Sequence, residues 1–168
     1  DEETIHRTMK ILDQTIKEYH ADPDRVYVTG ISGGGTGAWE FGKRYPDRFA
    51  AILPVSAEYN TEDALNLAEN HVSIWNLFVR GDKEKLVKAN RDIFHELLKA
   101  GFSPRFTELN GTRSVKWSTH DAWGFTYRNH AIYDWLLEQN LKQNQIQKNP
   151  FQLIFNEKDF SGWKVESG

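Results

Sequence analysis

Residues 25–39, RVYVTGISGGGTGAW, constrain what this chain can fold into more than any other stretch. The first half is short, β-branched and aromatic, the composition of a strand. The second half opens on glycines and predicts a helix over residues 33–45 or so. Between them Gly30-Ile31-Ser32-Gly33-Gly34 fits G-x-S-x-G in the strand–turn–helix setting of a nucleophile elbow. A serine forced into so tight a turn projects its hydroxyl out of the sheet. Glycines two before and two after it keep neighbouring side chains from clashing there. The helix that follows aims free N–H groups at the site, so the Gly33 N–H can bind a developing oxyanion. A glycine-rich phosphate loop is the competing reading, but neither G-x-x-x-x-G-K-[ST] nor G-x-G-x-x-G spacing supports it.

The rest of the chain alternates in the same way. Ile5, Met9, Leu12 and Ile16 step by three to four residues, which predicts an amphipathic helix closed by ADPD and Pro23. AAILPVS at 50–56 has the length of a buried strand, and Pro54 belongs at its end rather than its middle. Residues 58–70 are polar and predict a loop with a helical turn. SIWNLFV and PRFTEL are two further strands, separated by a strong helix over 84–100 with Gly101 just past its end. The turn-rich NGTRSVKWST leads to a last helix over about 122–139. Strands alternating with helices predict an α/β fold, a parallel sheet with flanking helices.

Composition narrows the chemistry. With 168 residues the chain can bury a real core. Lys and Arg number 21 against 24 Asp and Glu, a net charge of −3, which leaves no electrostatic footprint for nucleic acid. No stretch approaches the roughly 18 apolar residues of a membrane span. Absence of cysteine removes disulfides, thiolate metal sites and a cysteine nucleophile. Scattered His and carboxylates show no metal spacing, and no cofactor is implied.

A serine nucleophile needs a base, and the order expected with such an elbow is serine, acid, histidine. His120, in STHDAW, lies beyond the last strand, where a loop can reach back over the strand ends. His6, His20 and His95 fall on or at the ends of helices, His71 precedes a strand and His130 sits in the last helix region. The acid should follow the third strand, and RGDKEK offers Asp82 and Glu84. Asp82 is nearer the strand end; Glu84 also suits the first turn of a helix, where the macrodipole favours a carboxylate. The residues alone leave the two open. Asp121, next to the histidine, points elsewhere.

Together these blocks resemble the α/β-hydrolase superfamily. The likeness is to its esterase branch of predicted peptidases and phospholipase/carboxylesterase-like proteins, near the feruloyl and acetyl-xylan esterases. DPDRVYVTGISGGGTGAWEFGKRYPDRFAAILPVS resembles the elbow block, and HDAWGFTYRNHAIYDWLLEQ resembles the histidine block. The resemblance implies Ser32 as nucleophile, His120 as base and the Gly33 N–H in the oxyanion hole. The acid block of such enzymes reads H-G-x-x-D before an apolar pair. Arg80-Gly81-Asp82-Lys83-Glu84, followed by Leu86 and Val87, then implies Glu84 as the acid, with Asp82 the alternative. It also implies the C-terminal half of an α/β-hydrolase fold over residues 1–140. A missing N-terminal half, or a second chain, would then cover an exposed sheet edge. Residues 141–150 have linker composition, and FQLIFNEKDFSGWKVESG at 151–168 resembles the opening strand of a keto-disaccharide hydrolase-like jelly-roll domain, the start of a second, truncated β domain.

The activity expected is that of a serine carboxylesterase working through an acyl-enzyme. The sugar-domain resemblance favours acyl groups on carbohydrate over lipid esters, and a secreted or periplasmic place. Trp39, Trp117 and Trp123 are candidates for a stacking wall, although Trp39 on the elbow helix suits core packing better. The alternatives are a serine peptidase with the same triad and an inactive, hydrolase-like module that binds carbohydrate or serves as a scaffold.

Overall fold

The computed structural model describes residues 2–110 and 120–148. Helix α1 (Glu2–Tyr19) carries the expected apolar stripe, but only Met9 on it is buried, with Ile5, Leu12 and Ile16 half-buried. A 3-10 turn at Pro23–Arg25, capped by the Asp22 side chain on the Asp24 N–H, redirects the chain into β1 (Tyr27–Ile31). Then follow α2 (Gly33–Arg44), β2 (Ala51–Val55), α3 (Thr61–Glu69), β3 (Ser73–Val79), α4 (Glu84–Lys99) and β4 (Arg105–Leu109). The last described elements are α5 (Trp123–Thr126), α6 (His130–Glu138) and α7 (Leu141–Lys148).

The four strands are all parallel and stand in the order β1-β2-β3-β4. Right-handed crossovers between strands that stay in sequence order put successive helices on one face. That is the arrangement found. Trp39 of α2, Leu67 of α3, and Ile93 and Leu97 of α4 share a core with Ile52 and Ile74. Side chains one residue along, Ala51, Leu53, Val55, Leu77 and Val79, face the other way and pack on Ala122, Ile132 and Trp135 of the α5–α6 region. Both faces of β2 are therefore buried, which explains its unbroken apolar sequence.

Four expectations change. The last helix, expected over about 122–139, is two, α5 and α6, with residues 127–129 between them. Residues 58–70 hold a nine-residue helix rather than a loop with one turn. Asn60 caps α3 by accepting from the Asp63 N–H, and Ala64, Leu67 and Ala68 form a buried stripe too short to stand out in a polar sequence. Pro54 does not quite end β2. The β2–β3 pairing skips Leu53 and Pro54, where proline has no N–H to give, and resumes at Val55↔Leu77. The stretch read as linker is helical over Leu141–Lys148: Leu141 is buried, and Asn144 Nδ2 donates to the Ala50 carbonyl at 2.9 Å. Residues 151–168, with their jelly-roll resemblance, lie outside the described residues. No described helix is long and apolar enough to cross a membrane.

Candidate active site

The site forms at the carboxyl ends of the strands, where an open parallel sheet presents its loops. Ser32 stands between β1 and α2 with φ 52° and ψ −120°, a left-handed backbone that costs a non-glycine residue about 1–3 kcal/mol. The turn is locked from both sides. The Ser32 N–H donates to the Val55 carbonyl of β2 at 2.8 Å, and the Ser32 carbonyl accepts from the Thr36 N–H at 3.1 Å. Gly30 is required sterically, since a Cβ there would lie 2.2 Å from the Gly34 carbonyl oxygen. The other close approach falls at Gly35, whose Cβ would meet Ala57 Cβ at 2.7 Å. Gly34 has open space, so the glycine that packs after the serine is three residues on, not two. Ser32 and Gly33 are exposed, and Gly33 begins α2 with its N–H free of any intrahelical acceptor.

His120 Nε2 lies 2.9 Å from Ser32 Oγ, and His120 Nδ1 lies 2.5 Å from Asp82 Oδ2. A carboxylate only accepts, so Nδ1 carries the imidazole proton and donates it to Asp82. That leaves Nε2 as the acceptor for the serine hydroxyl. The Asp82 side chain is almost fully buried at 2% exposure, whereas His120 stands at 29%. The second oxygen, Oδ1, accepts from the Lys83 N–H at 2.7 Å, and the Asp82 N–H is tied back to the Val79 carbonyl at 3.1 Å. Both carboxylate oxygens are thus occupied and the side chain is aimed.

Asp82, not Glu84, is therefore the carboxylate against the histidine. Glu84 is exposed in the first turn of α4, where its charge suits the macrodipole. Asp121 also points elsewhere, accepting from the Gly124 N–H at the start of α5. Trp123 sets its ring edge-on to His120, centroids 5.7 Å apart. Trp39 is fully buried and stacks on Tyr59, a core residue. Trp117 lies outside the described residues.

Behind the acid loop, Glu108 of β4 accepts from Arg91 at 2.6 Å and from Arg80 at 2.7 Å. The hydrogen bond from Arg91 is the largest cause that holds its carboxyl down to about 2, against its own desolvation, with Arg80 adding to it. Among the described residues no group of three or more His, Asp or Glu could hold a metal ion.

One participant escapes a reading of the sequence. Ser56, just past β2, is 1% exposed and donates its hydroxyl to the His120 carbonyl at 2.7 Å. Its only signal was position, at the carboxyl end of the strand beside the elbow strand.

No protein-family model matches the chain, and no curated protein matches it. Solved structures do. A thermostable esterase superposes with a TM-score of 0.74 at 28% identity, over 82% of this chain and 37% of the esterase. A ferulic acid esterase gives 0.57 at 20% identity, over 76% of this chain and 56% of that one. An acylaminoacyl peptidase from Pyrococcus horikoshii gives 0.53 at 14% identity, over 97% of this chain and 29% of that one. The chain thus spans well under two thirds of each. Its parallel four-stranded sheet with flanking helices is a partial α/β-hydrolase fold.

Proposed function

We propose that this protein is a serine hydrolase that cleaves carboxylic esters through an acyl-enzyme. The observation that carries the reading is the relay Ser32 Oγ–His120 Nε2 at 2.9 Å and His120 Nδ1–Asp82 Oδ2 at 2.5 Å. Ser32 Oγ bonds to the ester carbonyl carbon while His120 Nε2 takes the hydroxyl proton. Charge developing on the carbonyl oxygen meets the Gly33 N–H and the positive end of α2. Collapse expels the alcohol, protonated by His120, and leaves acyl-Ser32. Water then gives a proton to Nε2 and attacks the acyl carbon. The acid departs and the proton returns to Ser32 Oγ. Asp82 keeps the imidazole in the required tautomer throughout and stabilises its charged form.

The esterase likeness at 28% identity supports ester over amide chemistry. An acyl group on plant polysaccharide, in a secreted or periplasmic setting, is what the resemblance of residues 151–168 to a sugar-acting enzyme's domain implies. The outer edge of β1 would be covered by further strands of the same fold or by a second chain. Treating the full chain with a fluorophosphonate and mapping the adduct tests the assignment. Label on Ser32, lost in His120→Ala, is expected, together with hydrolysis of p-nitrophenyl acetate well ahead of the matching anilide. Ester turnover that survives Ser32→Ala would overturn the mechanism; faster anilide cleavage would make the protein a peptidase. A folded, unlabelled chain would favour a binding module.

A further inference from the structure

A histidine at the end of a long connection needs its backbone held as well as its ring. The Asp82 carboxylate and the Trp123 edge orient the imidazole of His120, but neither fixes where its main chain stands. The main-chain carbonyl is where Ser56 arrives. Its Oγ donates to the His120 oxygen at 2.7 Å, across 64 residues of sequence, and the Ala122 N–H reaches the same oxygen at 3.0 Å.

Ser56 is unusually well anchored for a residue that only fills space. It has φ 49°, left-handed backbone that favours glycine, although it carries a side chain. The Ser56 N–H donates to the Leu77 carbonyl of β3 at 2.8 Å. The next carbonyl, that of Ala57, accepts from Asn90 Nδ2 of α4 at 2.9 Å. Asn90 is fully buried, donates also to Leu86 and accepts from the buried Asn76 of β3 at 2.5 Å. A polar pair has thus been kept inside an apolar layer, and it ties down the 56–57 corner from α4 and β3. A serine packed for its own sake would return its hydroxyl to a neighbouring carbonyl of its own loop. Ser56 instead sends it to the histidine.

We infer that Ser56 is a positioning residue: by holding the His120 carbonyl it places the imidazole between Ser32 and Asp82. This rests on the hydrolase reading above, and it adds the carboxyl end of β2 to the site. The geometry leaves little slack, because the reaction needs Nε2 within hydrogen-bond reach of Ser32 Oγ while Nδ1 stays on Asp82.

Two variants separate the hydroxyl from the backbone. Ser56→Gly relieves the left-handed strain but removes the donor; Ser56→Ala removes the donor and keeps the strain. Each is measured by denaturation, by p-nitrophenyl acetate kinetics, and by the ring-nitrogen NMR spectrum of His120, which reports the tautomer. Both variants are expected to lose about 10- to 100-fold in kcat with little change in KM. Both should also shift His120 from pure Nδ1–H towards a mixture of tautomers. Ser56→Gly should do this while unfolding close to the unmutated chain. The proposal fails if either variant keeps kcat and tautomer, or if the losses simply follow stability, with Ser56→Gly near normal. An unmutated chain with the Nδ1–H tautomer but no turnover would fail the hydrolase reading alone, and the tautomers of the variants would still decide the role of Ser56. An unmutated chain without that tautomer would overturn both.

Discussion

Asp82 and Glu84 are two residues apart, and their substitutions should differ by orders of magnitude. Asp82→Asn places an amide against Nδ1, which can donate there and move the imidazole proton to Nε2. That nitrogen then faces Ser32 Oγ as a donor and cannot take its proton. The expected loss in kcat/KM is about 10³–10⁴-fold, with the fold intact by circular dichroism. Glu84→Gln should stay within about twofold, since the side chain is exposed on α4. Ester kinetics on the two variants check this directly. Ser32 and His120 were legible in the sequence because each follows a strand in a required order. The carboxylate that meets His120 was not, because spacing places two carboxylates near the same strand end. What separates them is that one lies in the turn and the other begins a helix. The glycines carry the same lesson. Gly30→Ala should destabilise by about 1–3 kcal/mol or more, its Cβ meeting the Gly34 oxygen at 2.2 Å. Gly34→Ala, in open space within α2, should leave stability equal or raise it by up to about 1 kcal/mol. Denaturant melts of both variants distinguish the glycine that packs from the one that only completes the motif.

At the scale of elements, β3, β4 and α4 are joined behind the acid loop by Glu108 and its two arginines. Arg80 leaves β3 one residue after its end, with its N–H on the Leu109 carbonyl, and its side chain meets Arg91 of α4 on the same carboxylate. Glu108 has its carboxyl held down to about 2, below the unfolded value, so its contribution to stability is present above the ordinary carboxylate range. That contribution disappears as pH falls through the low fours towards about 2. Both arginines are about half exposed or more, at 62% and 47%, and solvent discounts the pair energies. We expect Glu108→Gln to cost about 2 kcal/mol at pH 7 and nearly nothing at pH 2, measured by urea unfolding at each pH. A difference that stays constant with pH would assign the loss to packing. Elements with strong local patterns, β1 to β4, α1, α2 and α4, were legible in the sequence. Helix α3 was not, because its stability comes from an Asn60 cap and three small or aliphatic contacts. Helix α7 was hidden for a similar reason: its glutamines and asparagines look like linker, yet Leu141 and Asn144 dock.

Over the whole molecule, the alternation of strands and helices makes an α/β sheet legible, but not what lies beside β1. Strand pairing is non-local, and nothing within 27–31 names a neighbour. Among the described residues β1 pairs only with β2, and the helix before it buries only Met9 while Ile11 and Tyr19 remain 56% and 72% exposed. Parallel strands are normally covered on both sides, so an open parallel edge is a template for another strand. The ladder shows which groups stand open. Val26 accepts from the Ala50 N–H and Ser32 donates to the Val55 carbonyl, so even-numbered residues of this stretch face β2. In a parallel strand successive residues alternate sides, which turns Tyr27, Thr29 and Ile31 towards the free edge. Their amides should exchange with deuterium nearly as fast as unstructured peptide in dilute, monomeric chain. The Val28, Gly30 and Ser32 amides should be strongly protected. Raising the protein concentration, so that two such edges can meet, should slow the odd-numbered set selectively. Equal protection of both sets at the lowest concentration would show that the edge of β1 is already paired.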